Sequence, residues 1–365
     1  MLDTRLEDMR WMIYGATGYT GTLVAEEALR RGHRPLLAGR SEEKLRKLGR
    51  RLGLKYVAFD LDDVNVIARH TATVDLVYHA AGPFAFTSDP MIRACLATHT
   101  HYVDITGEVP VLERSASYDD VALRNGVAII SGAGFDVIPS DCLAAYVAAR
   151  VPRATTLEIA FQALTSITAG TALSMLEMLP QGGLVRRSGT LQRLRLGAGI
   201  RTIDMPNGRQ RAMPIPWGDL ATAYRSTHIP NITTYMVVPP ALAAIAPVAG
   251  PAGTSLLGFR PARQAAGSIA SRIFSGPGAA QRTSQRSYLW ARAADNLGIS
   301  AEAWLICAEG YEFTAQAAVP VVERVLQEKP AGALTPSQAF GPDFVLEIAG
   351  SQRWDELAYA RAAGL

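Results

Sequence analysis

The chain has 365 residues, 48% of them apolar, and its 36 Lys and Arg against 33 Asp and Glu give a formal charge of +3. That supplies enough apolar side chain for a sizeable core, too little polar bias for disorder, and enough length for two domains. Three scattered cysteines, Cys95, Cys142 and Cys307, match neither a disulfide framework nor a metal-binding spacing, which excludes a disulfide-stapled scaffold and points to a reducing compartment.

Residues 1–10 carry charge throughout and lack an apolar h-region, so the expected location is the cytoplasm. Met12-Ile13-Tyr14 is a short apolar strand that breaks into Gly15-Ala16-Thr17-Gly18-Tyr19-Thr20-Gly21 and continues as a helix from Thr22 to Arg31. Gly15 permits a tight turn, Gly18 lets backbone N–H groups approach a pyrophosphate, and Gly21 lets the helix pack close to its strand. The helix N-terminus adds partial positive charge. The pattern predicts a dinucleotide held by Gly15, Thr17, Gly18, Tyr19, Thr20 and Gly21. A second strand, Pro35 to Ala38, ends in Gly39-Arg40-Ser41, where an acidic residue would accept the ribose 2′-OH of NAD. Arg40 can fork onto a 2′-phosphate and Ser41 can donate to it, so NADP(H) is favoured.

Alternation continues through a helix at Glu42 to Leu52, a strand at Lys55 to Phe59, a helix at Val64 to His70 and a strand at Val74 to His79. The fourth strand runs into Ala80-Ala81-Gly82-Pro83, which places Ala81, Gly82 and Pro83 on the dinucleotide cleft. A helix around Pro90 to Thr98, a fifth strand at His101 to Ile105, a helix from about Val111 and a sixth strand at Val127 to Ser131 complete a doubly wound parallel Rossmann-type sheet. A glycine-rich loop then leads into a helix ending at Arg150.

Near these strand ends the candidates for handling substrate and proton are Tyr102, Asp104, Glu108, Asp136 and Asp141. Each has a plain structural alternative: Tyr102 as packing, Asp104 as an acceptor for backbone amides, Asp141 as a helix cap beside Ser140. Glu108 and Asp136 are the better candidates for touching the nicotinamide, its ribose or the substrate. Lys44, Lys47, Lys55 and Lys329 are the only lysines and none follows a tyrosine by four, so the Tyr-x-x-x-Lys mechanism of short-chain dehydrogenases is excluded. His79 and His101 read as structural histidines within strands.

From Thr155 the pattern changes to longer alternating strands, at Thr155 to Gln162, Gly199 to Met205, Arg209 to Pro214 and Ile232 to Val238, with a hairpin turn at Pro206-Asn207-Gly208 and a helix near Thr171 to Leu179. This predicts a second, α+β domain around a mixed or antiparallel sheet, joined by a strand at Ala301 to Ala308 and left by a helix at Ala315 to Leu326. Ser226 to Phe259 holds no Lys, Arg, Asp or Glu, and its prolines argue against a spanning helix. A greasy lid, a dimer contact or a shallow membrane-docking hairpin are its readings. Two arginine-bearing, acid-free stretches, one from Met178 to Ile203 and one between Asp219 and Asp295, suit an anionic partner; no nucleic-acid-binding module accompanies them.

With these segments placed, the chain resembles the saccharopine dehydrogenase-like oxidoreductases, which include saccharopine reductase and the trans-acting enoyl reductases of lipid and polyketide assembly. The resemblance rests on Tyr14 to Gly21, Ala38-Gly39-Arg40, Gly82-Pro83, Tyr102 to Glu108, Gly134-Phe135-Asp136, Pro139-Ser140-Asp141, Gly170-Thr171-Ala172, Thr335-Pro336 and Phe340-Gly341. It implies an NADP-binding domain over 1–150, a substrate-binding and dimerisation domain over 151–330, and a segment over 331–365 that packs back on the first domain. It further implies a homodimeric NADPH-dependent oxidoreductase without a metal, reducing the C=C bond of an enoyl substrate or the C=N bond of an imine. An acyl thioester or other lipid-like small molecule is the expected substrate. A non-catalytic NADPH-binding sensor or lipid-associated scaffold is the alternative.

Overall fold

The computed structural model describes residues 9–162, 182–241, 243–247, 259–273 and 276–364. It divides into two units, one made of Met1–Phe135 with Tyr311–Phe340, the other of Asp136–Gly310 with Gly341–Leu365.

The first unit is built on a seven-stranded sheet. Its strands are β1 (Trp11–Tyr14), β2 (Leu36–Gly39), β3 (Tyr56–Ala58), β4 (Leu76–His79), β5 (His101–Asp104), β6 (Ala128–Ile130) and a last one at Gly332–Leu334. All pairs are parallel, in the spatial order last strand, β6, β5, β4, β1, β2, β3. Between them run α1 (Tyr19–Arg30), α2 (Glu42–Leu52), α3 (Val64–Thr71), α4 (Phe84–Thr98), α5 (Val109–Ala116) and α6 (Asp119–Asn125). β1 and β4 to β6 have wholly buried burial patterns, as expected of strands covered on both faces. On one face Met12, Tyr14, Val77, Tyr102 and Ile129 pack with Ile67, Met91, Ile92 and Cys95 of α3 and α4. Strand order reverses between β1 and β4, so the crevice for a ligand opens there, at the carboxyl ends of the strands.

The second unit carries a nine-stranded mixed sheet. It contains β7 (Thr156–Gln162), β8 (Gly183–Arg187), β9 (Thr190–Leu194), β10 (Arg201–Met205), β11 (Gly208–Pro214), β12 (Asn231–Val237), β13 (Arg286–Ala294), β14 (Ser300–Ala308) and Gln352–Trp354. β12 pairs parallel with β7 and the other pairings are antiparallel. One face is covered by α7 (Ile138–Ala149) and the helix Asp219–Thr227. On the other Ala160, Tyr235, Trp290 and Trp304 cluster.

The units divide at 135, 310 and 340, beside the limits at 150 and 330 that the resemblance implies. Gly332–Leu334 extends the first sheet beside β6, whereas Gln352–Trp354 pairs with β14 in the second. The segment after residue 330 is therefore shared between the units. The β8–β9 hairpin and β13 were not anticipated, and the helix expected near Thr171 to Leu179 lies outside the described residues, as do 242 and 248–258 of the uncharged stretch. The start of that stretch is the end of the helix Asp219–Thr227 followed by β12, whose Ile232, Thr233, Thr234 and Tyr235 are buried, so this part is sheet core. Arg186, one member of the basic stretch, is likewise interior: its guanidinium donates to the carbonyls of Leu220 and Gly189 at 2.6 and 2.7 Å and lies over the Tyr224 ring. Among the described residues no helix is long and apolar enough to cross a membrane, and no cluster of His, Cys, Asp or Glu is placed to hold a metal ion.

Candidate dinucleotide site

The turn out of β1 is held by its neighbours. Gly15 N–H and Ala16 N–H both donate to the Ala38 carbonyl of β2, at 2.9 and 3.1 Å, and Gly18 N–H closes a turn onto the Gly15 carbonyl at 2.9 Å. Gly15 sits at φ +89°, and a Cβ there would lie 2.8 Å from backbone atoms of Ala80 and Ala81. A Cβ on Gly21 would stand 2.2 Å from the Gly15 carbonyl oxygen, so α1 packs directly on its own loop. Gly18 is different. It is exposed and caps α1 in an extended conformation, and a Cβ there would be 3.2 Å from the Gly15 oxygen, slightly crowded but reaching outward. No acidic residue occupies the first turn of α1, so nothing there opposes an anion at a helix end whose leading N–H groups have no intrahelical partner. Thr17, Tyr19 and Thr20 are half-buried around this turn, and the Tyr19 ring meets that of Tyr311 edge to face at 5.0 Å.

At the end of β2, Arg40 is exposed and Ser41 caps α2 by accepting the Lys44 N–H at 3.4 Å, which leaves the hydroxyl proton to donate outward. The Tyr14 hydroxyl donates to the Phe59 carbonyl at 3.0 Å, and burial pushes its pKa up to about 12, so it stays protonated. Across β1, Ala80 N–H bonds to the Tyr14 carbonyl at 2.8 Å and sets Ala81, Gly82 and Pro83 alongside Gly15, with the Gly82–Pro83 bond cis.

The acidic candidates fall into distinct settings. Glu108 is buried, and its carboxylate accepts the N–H groups of Phe84 and Ala85, each at 3.0 Å, capping α4 where Pro83 provides no side-chain cap. Tyr102 is wholly buried; its hydroxyl donates to Asp104 Oδ2 at 2.8 Å and lies 3.0 Å from His79 Nδ1. Desolvation drives the His79 pKa down to about 3 and that of Tyr102 well above its usual value, so both are neutral at ordinary pH. In the second unit Asp136 is half-buried and its carbonyl accepts from Trp217 Nε1 at 2.9 Å. Asp141, fully buried on α7, accepts from the Ser226 hydroxyl at 2.8 Å.

Pattern reading missed Thr314, whose hydroxyl accepts the Phe135 N–H at 3.0 Å and whose side chain abuts Gly134, because nothing local ties residue 314 to the sixth strand. It also missed Asp219, a fully buried carboxyl beside Ser140 and Thr234 whose pKa is pushed up to about 8, first by burial and then by the nearby acids Asp141 and Asp136. A solitary acid opening a helix reads as a cap.

Parallel order with reversal at β1, the tight glycine turn and a cationic end to β2 define a dinucleotide-binding domain. Residues 11–130 match the family described as "Saccharopine dehydrogenase NADP binding domain", which makes NADP the cofactor of this site. The mouse saccharopine dehydrogenase-like oxidoreductase is 33% identical over 150 residues, covering 36% of this chain and 35% of the relative. The trans-acting enoyl reductase of Mycobacterium tuberculosis is 35% identical over 138 residues, covering 36% of this chain and 33% of the relative. The chain thus spans about a third of the length of the curated relatives it matches. The fold of both units is that of apo saccharopine dehydrogenase (L-Glu forming) from Saccharomyces cerevisiae, which superposes with a TM-score of 0.62 over 95% of this chain and 100% of that one at 12% identity.

Proposed function

We propose that the protein is an NADPH-dependent reductase that saturates a polarised C=C or C=N bond of a small molecule. The observation that carries the reading is the glycine turn at the β1/β4 crevice, inside a sheet that matches an NADP-binding domain and ends its second strand in Arg40-Ser41 rather than an acid. The backbone of residues 15–21 cradles the pyrophosphate, Arg40 and Ser41 take the 2′-phosphate, and Ala81 to Pro83 line the nicotinamide side of the crevice. NADPH supplies the hydride when bound. The protein orients the acceptor against it and leads a proton to the neighbouring atom. Of the groups expected to handle that proton, Glu108 and Tyr102 of the first unit hold structural hydrogen bonds.

The name of the mycobacterial relative favours an enoyl substrate, which we take to be an acyl chain on an anionic carrier. NADPH oxidation measured with enoyl thioesters of increasing length and with imines of amino acids separates the readings. Apolar burial at about 0.8 kcal/mol per methylene should tighten binding roughly tenfold per two carbons until added methylenes are no longer buried. Turnover of imines alone transfers the activity to C=N reduction. NADPH binding with no turnover of either class leaves a sensor or scaffold.

A further inference from the structure

One buried carboxylate in the first unit is surrounded in a way the reductase reading does not use. Asp104, the last residue of β5, has no solvent exposure. Its Oδ1 accepts the N–H groups of Thr106 and Gly132, each at 3.0 Å, and its Oδ2 accepts the hydroxyls of Tyr102 at 2.8 Å and Ser131 at 3.0 Å. Four donors on two oxygens are a complete set for a carboxylate anion. They come from the ends of β5 and β6, and through Tyr102 the chain of contacts reaches His79 at the end of β4. All four are neutral, as is His79, and among the described residues no cation pairs with Asp104; burial raises its pKa, and these four hydrogen bonds act against that rise by favouring the anion.

We propose that Asp104 is a specificity-determining residue for the oxidation state of the dinucleotide: its buried negative charge, at the carboxyl end of β5, favours the oxidised nicotinamide over the reduced one. In a doubly wound sheet the half containing β1 to β3 takes the adenosine, so the half containing β4 to β6 takes the nicotinamide. The oxidised ring carries a positive charge that the reduced ring lacks, and attraction through a poorly polarisable interior distinguishes them. The inference rests on the NADP-binding domain and not on the reductase reading, because it is tested by binding.

The experiment measures the dissociation constants of NADP+ and NADPH for the full chain and for Asp104→Asn, which keeps the shape and an acceptor for both N–H groups. The wild-type ratio of NADPH to NADP+ dissociation constants should fall about fivefold in Asp104→Asn, the order expected for one buried unit charge partly screened by its surroundings. Equal weakening of both forms would overturn the proposal, since that is what loss of a merely structural tie produces. Ser131→Ala removes one donor and keeps the charge; its ratio should stay at the wild-type value, and a fall matching that of Asp104→Asn would also overturn it. Should Asp104→Asn not fold, Asp104→Ser takes its place, with the same fall in the ratio expected and an unchanged ratio overturning the proposal.

Discussion

Arg40 and Asp219 illustrate how one side chain acts through the charge it presents. Arg40→Ala removes the fork for the 2′-phosphate and should weaken NADPH by roughly 1.5–3 kcal/mol while leaving NADH nearly unchanged; isothermal titration with both forms checks it, and equal losses would contradict the assignment. Asp219 concerns stability. Its pKa rises from 3.8 to about 8 on folding, so the native state keeps a proton that the unfolded chain releases. The corresponding stability is full below the unfolded pKa and is lost as pH climbs towards about 8. Asn is uncharged in both states, so Asp219→Asn should gain on the wild type by a few kcal/mol between pH 5 and pH 8 in urea unfolding, at about 1.4 kcal/mol per pKa unit as an upper bound. Parallel pH curves would refute it. At this scale the exposed position of Arg40 at the end of β2 was legible because it depends only on what directly follows a strand. The tie of Glu108 to Phe84 and Ala85 was not, because it joins residues 24 and 23 positions apart that only the sheet brings together.

Two glycines of the same turn should respond oppositely, and this belongs to the element they join. Gly21→Ala drives a methyl into the Gly15 carbonyl at 2.2 Å, so α1 must lift from its loop, with a cost of about 3 kcal/mol or more visible as a lowered melting temperature. Gly18→Val projects outward from an extended backbone at the helix start, so the circular dichroism spectrum should be kept while NADPH binding is lost. Retained affinity would show that the pyrophosphate lies elsewhere. The first six strands were readable because each is a short apolar run followed by a helix with its own start signals. β13 was not, since Arg286-Ser-Tyr-Leu-Trp-Ala-Arg-Ala-Ala carries the small and charged residues of a helix, and its strand state is imposed by pairing with β7 and β14 on either side. Gly332–Leu334 is three residues long and gains its place only from β6.

For the whole molecule, local pattern indicated two sheets and their order but not where the chain passes between units. It crosses at Phe135, Gly310 and Phe340, and these crossings depend on which distant strand each segment pairs with. The doubly wound class was legible because alternation of strand and helix admits few topologies. The account of the molecule rests on an NADP(H) site at the β1 turn. The most direct test is a paired titration of the full chain with NADPH and NADH, followed by nicotinamide fluorescence. Saturable binding with NADPH favoured at least tenfold is the predicted result, lost in Gly18→Val. Equal affinity for the two forms, or no saturable binding of either, would contradict it.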